Sequence, residues 1–209
     1  MPQKIIIVRH GETQYNVERR LQGWTDIPLN ESGHDQAIKV ATRLSSESIS
    51  FIYSSDHERA HQTAIHIAKF HLLTPQKQPE LRENYMGIFE GWQWEKEPDP
   101  AKEKLWKERD IARANGDINW NLAEDESIKD HTKRVQNLVD RIESKHKDGT
   151  IVIVTHGGTI NRLMEIFHFK KVTDEYISYK NTSVTILTRN KSSYDLTVNN
   201  DISHLLNIG

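Results

Sequence analysis

The sequence predicts an α/β fold, a three-layer α/β/α sandwich with a mainly parallel central sheet and an antiparallel hairpin at its C-terminal end. Two unbroken β-branched runs support this fold class, Ile-Ile-Ile-Val at residues 5–8 and Ile-Val-Ile-Val at residues 151–154. Runs without alternation are typical of strands buried on both faces. Helical patterns lie between the predicted strands, and this interleaving favours a parallel sheet with helices on both of its faces.

The other elements follow in chain order. A weaker strand is predicted at residues 51–53, Phe-Ile-Tyr. Apolar spacing predicts helices over residues 30–44, from Ser55 or Asp56 to Phe70, over residues 126–146, and after Gly157-Gly158. Residues 183–188 and 194–198 alternate between apolar and polar and flank the polar stretch Arg-Asn-Lys-Ser-Ser, which predicts a terminal hairpin.

The length of 209 residues favours a single domain over residues 1–209. Residues 92–122 depart from the strand–helix alternation and contain two prolines and four of the five tryptophans. We interpret this stretch, called the cap segment below, as a cap or insertion over a site. The alternative is a helical surface insertion whose tryptophans simply pack inward.

Composition excludes several classes of protein. The 28 basic and 30 acidic residues give a net charge of −2, so no overall field attracts nucleic acid or an anionic membrane. The absence of cysteine excludes a disulfide scaffold, a thiolate metal site and a cysteine nucleophile. No apolar run approaches the ~18 residues of a membrane span or the length of a signal peptide. We therefore expect a cytoplasmic protein without a membrane or nucleic-acid partner.

Both strong strands lead into a His-Gly pair. Residues 5–8 are followed by Arg9-His10-Gly11, and residues 151–154 by Thr155-His156-Gly157. Ligands of open α/β sheets bind at the carboxyl ends of the strands. We therefore expect His10 and His156 to face each other across one pocket, with each glycine letting the backbone approach a ligand.

Cations and a helix end add to this predicted pocket. Arg9 precedes His10, and Arg59 lies early in the helix that follows the weaker strand. Guanidinium groups match phosphate oxygens, and the helix that opens at Gly157-Gly158 offers free N–H groups to an anion. The set suits a dianion such as a phosphate monoester and implies neither a metal nor a cofactor.

Further motifs occur in order along nearly the whole chain. They are Arg-His-Gly-Glu-Thr at 9–13 with Asn16, Gln-Gly at 22–23, Asp-Ile-Pro-Leu at 26–29, Ser-Ser-Asp at 54–56 with Arg59, Leu-Arg-Glu at 81–83, Thr-His-Gly-Gly at 155–158 and Asn-Thr-Ser-Val at 181–184. This ordered series resembles the histidine phosphatase superfamily, the phosphoglycerate mutase-like family. The resemblance implies the phosphoglycerate mutase-like fold and catalysis without a cofactor.

The resemblance also implies roles for individual residues. His10 resembles the nucleophile that becomes a phosphohistidine, and Glu83 resembles the general acid and base. Covalent catalysis of this kind divides one difficult displacement into two easier ones. The attacking ring nitrogen must carry no proton, so we expect the other nitrogen to donate to a backbone carbonyl. The implied phosphate and substrate contacts are Arg9, Asn16, Gln22, Gly23, Arg59, His156 and Gly157.

The other charged residues near these motifs are assigned structural positions. Glu12 and Glu90 are carboxylates that compete with Glu83 for the acid role, and we expect both to brace loops through hydrogen bonds. The charged positions at the start of the helix at 126–146, among them Arg134, are expected to face solvent.

Residues 57–61 match the H-E-x-x-H pattern of zinc proteases. On a helix, His57 and His61 would share one face, as a zinc pair requires. Short motifs recur by chance, and we expect these two histidines to be exposed on the outer side of the helix while Arg59 and Thr63 face inward.

The sequence favours hydrolysis of a phosphate ester over the mutase reaction, in which the phosphoryl group is transferred to another position of the substrate. In the family's mutases, the segment that begins at the acid residue resembles Glu-Arg-His-Tyr-Gly. Residues 83–87 are Glu-Asn-Tyr-Met-Gly and lack that arginine. The usual Gly-Glu-Ser is Asp-Glu-Ser at 125–127.

We predict a metal-independent phosphatase acting on a small phosphorylated metabolite. The alternatives are a phosphoglycerate mutase, which is an isomerase, and a catalytically weak protein that binds phosphorylated ligands or a partner. An exposed edge beside the final hairpin could pair two chains as a homodimer.

Overall fold

A six-stranded sheet forms the centre of the protein in the computed structural model, which describes residues 1–122 and 125–206. In spatial order the strands are β3-β2-β4-β1-β5-β6. Their bounds are β1 Lys4–Arg9, β2 Ile49–Ser54, β3 Gln76–Lys77, β4 Thr150–Thr155, β5 Val184–Asn190 and β6 Ser193–Asp201. β1 to β4 run parallel, whereas β5 is antiparallel to β1 and β6 is antiparallel to β5. The predicted parallel sheet and terminal hairpin are confirmed. The two-residue β3 was not predicted, because so short a strand leaves no pattern.

Six α-helices surround the sheet within residues 1–122 and 125–206. They are α1 Gln14–Val17, α2 Glu31–Leu44, α3 Glu58–Lys69, α4 Pro100–Ala114, α5 Ile128–Lys145 and α6 Gly157–Ile166. α2 and α3 share one hydrophobic core with one face of the sheet, and α5 and α6 share the other. The chain therefore has the predicted three-layer α/β/α architecture. Within residues 1–122 and 125–206, no helix combines the length and the apolar character needed to cross a bilayer.

β1 shows why an unbroken β-branched run suits this position. Ile5 and Ile7 belong to the core formed with α5 and α6, whereas Ile6 and Val8 belong to the core formed with α2 and α3. All four side chains are at most 1 % exposed. Alternate strand residues point to opposite faces, so a strand covered on both faces needs an apolar residue at every position.

Helix starts follow local capping chemistry. The Asn30 side chain accepts from the Gly33 N–H at 2.7 Å, and the Ser127 hydroxyl accepts from the Asp130 N–H at 3.1 Å. These two caps begin α2 and α5 close to the predicted positions.

The predicted start of α3 at Ser55 or Asp56 is wrong, because the helix begins at Glu58 with His57 as its N-cap residue. Both side chains have other partners. The Asp56 carboxylate accepts from Arg82 at 2.8 and 2.6 Å, and the Ser55 hydroxyl accepts from the His57 N–H. Asp56 is therefore held by an ion pair from a distant part of the chain rather than by the first turn of α3.

The cap segment contains α4, which begins at the N-cap residue Asp99. Trp92 is buried, and the Trp106 ring meets Phe89 edge-on with ring centroids 5.1 Å apart. Trp94 is 44 % exposed. Inward packing thus accounts for Trp92 and Trp106 but not for Trp94, and α4 has no fully buried residue.

His131 of α5 gives the fold a predictable pH dependence. It lies buried with its Nε2 3.0 Å from the Thr159 hydroxyl of α6. Burial, with Arg134 and Arg162 nearby, holds the pKa of His131 well below its ordinary value of 6.5. The unfolded chain therefore binds more protons below that pH, so the free energy of unfolding falls as the pH falls. We expect the free energy of unfolding of His131→Gln to fall less steeply with decreasing pH than that of the wild type, by roughly 1.4 kcal/mol per pH unit. The measurement is urea unfolding in buffers below neutrality.

His168→Asn is the matched control for this measurement. His168 is exposed and has a φ of 64°, a conformation that asparagine tolerates. An equal dependence of unfolding free energy on pH in wild type and both variants would contradict the assignment to His131.

Candidate functional site

A cavity of about 660 Å³ opens at the carboxyl ends of β1 and β4. All nine residues that the sequence predicted for the site line this cavity: Arg9, His10, Asn16, Gln22, Gly23, Arg59, Glu83, His156 and Gly157. They come from segments spread over most of the chain. The structure therefore brings the whole predicted set to one place.

The register between β1 and β4 positions the two histidines. Arg9 lies opposite Thr155 in the parallel ladder, and the His10 N–H donates to the Thr155 carbonyl at 2.9 Å. His10 and His156 consequently leave the sheet at the same level, with ring centroids 5.2 Å apart. Both side chains are almost completely buried, at 2 % and 0 % exposure.

Hydrogen bonding defines the tautomer of His10. Its Nδ1 lies 2.7 Å from the Gly11 carbonyl oxygen, which can only accept. Nδ1 therefore carries the proton, and Nε2 keeps a free lone pair. This is the arrangement predicted for a nucleophilic imidazole.

His156 has the opposite arrangement. The Arg59 Nε–H donates to His156 Nδ1 at 3.2 Å, so Nδ1 is the acceptor and the neutral ring carries its proton on Nε2. His156 Nε2 is buried and has no hydrogen-bond partner among residues 1–122 and 125–206. The site thus holds one imidazole with a free lone pair and one with a free N–H donor.

Arg59 and Arg9 supply the positive charge. The terminal nitrogens of Arg59 donate to the Gly23 and Thr25 carbonyls at 2.8 and 2.9 Å, and the side chain is fully buried. Arg9 donates to the Tyr179 carbonyl, while its buried Nε finds no partner in the described part of the chain. Backbone carbonyls orient these guanidinium groups without neutralising them.

Burial keeps the imidazoles neutral. Loss of water around the ring, together with Arg9 and Arg59, holds the pKa of His10 well below 6.5. Burial and Arg59 have the same effect on the pKa of His156. Burial also lowers the pKa of Arg59 to about 10, which leaves its guanidinium charged at neutral pH. The site is positively charged while its nucleophile remains unprotonated.

Glu83 reaches the site from a loop and is held by backbone donors. Its two oxygens accept from the Asn84 N–H at 2.8 Å and from the Gly158 N–H at 2.9 Å. A Cβ at Gly158 would lie 2.2 Å from Glu83 Oε1, so this close approach requires glycine. The start of α6 therefore positions the carboxyl group as well as the imidazole before it.

Asn16 lies in α1, and Gln22 and Gly23 lie on the loop that follows this helix. The amide oxygens of Asn16 and Gln22 each accept from the Thr13 hydroxyl at 3.1 Å. Glu90 braces the same loop, since it accepts from the Trp24 N–H at 2.7 Å and from the Thr25 hydroxyl at 2.8 Å. These contacts support the structural part predicted for Glu90.

Glu12 and Gly11 connect the first loop to α2. Glu12 accepts from the Asn30 amide at 2.9 Å, as expected of a bracing residue. A Cβ at Gly11 would lie 2.5 Å from the Gly33 carbonyl oxygen. The expectation that Gly11 lets the backbone approach a ligand is therefore wrong, because its close neighbour is the backbone of α2.

His57 and His61 do not occupy the positions predicted for them. His57 is 5 % exposed, and its ring meets the His156 ring at 5.6 Å between centroids, whereas the half-buried His61 contacts the Ser54 hydroxyl at 3.1 Å. His57 is the N-cap residue of α3 and its ring lies against His156, whereas the His61 ring contacts Ser54, so the two rings have different partners. In the described ranges, no group of three or more His, Cys, Asp or Glu side chains could hold a metal ion.

Two contributors to the site were not predicted. The Asn181 amide donates to the His10 carbonyl at 3.1 Å and to Asn16 Oδ1 at 3.3 Å. Arg134, expected on a solvent-facing surface, donates instead to the carbonyls of Glu80, Arg82 and Glu83 at 2.6–2.8 Å. The motif around Asn181 could have indicated the first residue, but no local signal indicates Arg134.

This geometry agrees with a comparison to known families. A family model described as the histidine phosphatase superfamily, branch 1, matches residues 5–202. The chain belongs to that superfamily. The resemblance drawn from the motifs is confirmed, and the matched residues include every predicted site residue.

Individual relatives in the superfamily carry different activities in their names. Phosphoglycerate mutase-like protein 4 of Arabidopsis thaliana is 36% identical, covering 99% of this chain and 88% of its own. A metal-independent phosphoserine phosphatase of Arabidopsis thaliana is 31% identical, covering 99% and 84%. The solved structure of Bacillus stearothermophilus YhfR superposes with a TM-score of 0.81 at 29% identity, covering 97% and 99%.

The free donors of His156 and Arg9 predict that inorganic phosphate binds in the cavity. At about 100 times its Kd, a ligand specific to the folded state adds about 2.7 kcal/mol to the free energy of unfolding. We expect phosphate to raise Tm in the wild type and to lose most of this effect in Arg9→Met, measured by thermal unfolding. Arg141→Met removes an exposed guanidinium far from the cavity and is the control. An equal phosphate effect in both variants would exclude Arg9 from the anion site.

Proposed function

We propose that this protein is a metal-independent phosphomonoesterase, which hydrolyses small-molecule phosphate esters through a phosphohistidine on His10. The observation that carries the proposal is the pair of opposite tautomers at the ends of β1 and β4. His10 presents a lone pair, and His156 presents an N–H donor 5.2 Å away between ring centroids. A nucleophile beside an oxyanion donor is what phosphoryl transfer to nitrogen requires.

The first half of the reaction forms the phosphoenzyme. The His10 Nε2 lone pair attacks phosphorus, and the bond between phosphorus and the ester oxygen breaks. Arg9, Arg59 and His156 stabilise the charge on the other phosphoryl oxygens because their donors are fixed before the substrate arrives. Glu83 gives its proton to the departing oxygen, so the alcohol leaves neutral.

The second half returns the enzyme to its starting state. A water molecule attacks the phosphorus of phosphohistidine, and the Glu83 carboxylate takes a proton from that water. The phosphorus–nitrogen bond breaks, its electron pair returns to His10 Nε2, and inorganic phosphate leaves. The same carboxyl group thus acts first as acid and then as base, which requires that alcohol and water reach it in turn, and Glu83 lines the cavity.

Two features favour hydrolysis over transfer to a second substrate. The cavity wall includes Arg19 and Trp94, whose side chains are 65% and 44% exposed, so water reaches the site. Asn84 occupies the position at which the family's mutases have arginine. Its amide nitrogen donates to the Glu126 carbonyl at 2.9 Å, and its amide oxygen accepts from Arg109 at 2.8 Å. A phosphoglycerate mutase is the competing enzyme, since one relative is named phosphoglycerate mutase-like protein 4 and another probable phosphoglycerate mutase GpmB.

His10→Ala tests the nucleophile. We expect turnover of p-nitrophenyl phosphate in EDTA to fall on the order of 10⁴-fold or more, because the covalent route is lost. Rapid alkaline quench of the wild type with radiolabelled substrate should trap a base-stable, acid-labile phosphoenzyme that His10→Ala lacks. His61→Gln is the control, since His61 does not line the cavity. Retention of most activity in His10→Ala would falsify the assignment, and isomerisation of phosphoglycerate without phosphate release would favour the mutase.

Glu83→Gln tests the proton donor. We expect a loss of roughly 100-fold or more for an alkyl phosphate, whose poor leaving group needs protonation. The loss should be much smaller for p-nitrophenyl phosphate, whose anion leaves without a proton. The measurement is kcat for both substrates in both proteins. Equal losses for the two leaving groups would contradict the acid role while leaving the nucleophile untouched.

A further inference from the structure

A second cavity, of about 300 Å³, lies between α4 of the cap segment and the core. It shares part of its wall with the site cavity, including Glu83, Met86 and Tyr176. Glu83 is the group that faces the departing oxygen in the proposed reaction. The alcohol part of an ester held at His10 therefore has a direct route past Glu83 into this second cavity.

Three guanidinium groups line the second cavity, which we call the arginine chamber: Arg109 and Arg113 of α4, and Arg162 of α6. Arg109 and Arg113 lie on one helix face because they are four residues apart. Arg162 is only 4 % exposed, and its Nη1 has no partner in the described part of the chain. The Nε of Arg113 is likewise buried without a partner there.

The positive charge of the chamber is only partly balanced. Arg162 pairs with Glu165 at 2.7 Å, but neither Arg109 nor Arg113 forms an ion pair within residues 1–122 and 125–206. Arg109 donates to the neutral Asn84 amide oxygen at 2.8 Å. Burial lowers the pKa of Arg109 and of Arg162, which reflects lost hydration. An anion in the chamber would replace that hydration.

The acids in the chamber wall do not supply this anion. Glu126 is paired with Arg134 at 2.6 and 2.8 Å. Asp110 and Asp117 are exposed and form no ion pair in the described ranges. Glu83 accepts from two backbone N–H groups, as described above. The chamber therefore has donors available for an anion that comes from outside.

Aromatic rings hold two of the guanidinium planes. Arg109 lies over the Trp106 ring at 4.9 Å, and Arg113 lies over the Tyr176 ring at the same distance. The rest of the wall is largely apolar and includes Met86, Trp120 and Ile128. Flat donors above apolar walls suit a ligand with an apolar body and a planar, two-oxygen anion.

We propose that the arginine chamber binds the carboxylate of the alcohol part of the substrate, so that the preferred substrates are phosphate esters of apolar, carboxylate-bearing alcohols. This inference rests on the proposed phosphatase function and names its substrate class. The phosphate lies in the His10 cavity, the ester oxygen lies at Glu83, and the carboxylate reaches Arg109 and Arg113. Arg162 closes the far side of the anion site with its free Nη1.

The test compares two substrates that differ only in the anion. They are 4-(carboxymethyl)phenyl phosphate and its neutral amide, 4-(carbamoylmethyl)phenyl phosphate, which have similar leaving groups and shapes. We expect the wild type to favour the carboxylate in kcat/KM by roughly tenfold or more, the size of a charge-assisted hydrogen bond. The preference should fall toward unity in Arg109→Met, in Arg113→Met and most fully in the double variant.

Lys104→Met is the matched control, because it removes a cation from the same helix on its exposed side, where the Lys104 side chain is 78% exposed. This variant should keep the wild-type preference. Absence of a preference in the wild type would overturn the inference without any variant. An equal decline of the preference in Lys104→Met would also overturn it, since the effect would then be one of general charge.

A binding measurement separates this inference from the phosphatase proposal. Calorimetric titration with 4-hydroxyphenylacetate, the alcohol released from the first substrate, should show saturable binding that its amide and the double variant lack. Binding without turnover of either ester would contradict the phosphatase proposal and support the anion site. Turnover of both esters without preference or binding would contradict the anion site and leave the phosphatase proposal standing.

Discussion

The parallel pairing of β1 with β4 is the constraint on which the site depends. Its register ends with Arg9 opposite Thr155, and the bond from the His10 N–H to the Thr155 carbonyl continues it by one residue. A shift of a single residue would turn one strand's side chains to the opposite face. The register is fixed because both strands are buried on both faces, and two hydrophobic cores would have to be disrupted to change it.

The site is organised at some expense of stability. Free donors on His156 and Arg9 are buried without partners in the described chain, and an unsatisfied buried donor costs roughly 1–3 kcal/mol. The same donors are what an oxyanion needs, since they require no rearrangement when charge develops. Carbonyl groups of Gly23 and Thr25 hold Arg59 in place without cancelling its charge. Burial of apolar side chains on both faces of the sheet offsets this loss of folding free energy.

The cap segment adds a second level of organisation. The catalytic groups proposed here come from the ends of strands, from the first turn of α3 and from loops, whereas α4 contributes residues to the second cavity. Glu83 separates the two cavities and lines both. Under the proposed mode of substrate binding, substitutions on α4 would alter which alcohol is accepted without moving His10 or His156. This division follows from where the chain is rigid, because loops and surface helices tolerate change better than a buried sheet.

Much of this protein was predictable because its strongest signals are local. The β-branched runs define β1 and β4, and the residues that follow each run in the chain must lie at the carboxyl edge of the sheet. Contacts between distant segments carry no such signal: Arg134 binds the carbonyls near Glu83, and Asp56 pairs with Arg82 instead of capping α3. The sequence alone determined nine of the residues that reach the site, although not Asn181 or Arg134. Only the tertiary structure decided which nitrogen of His156 is free and which arginines face a cavity, because those properties depend on partners far away in the chain, such as Arg59 for His156.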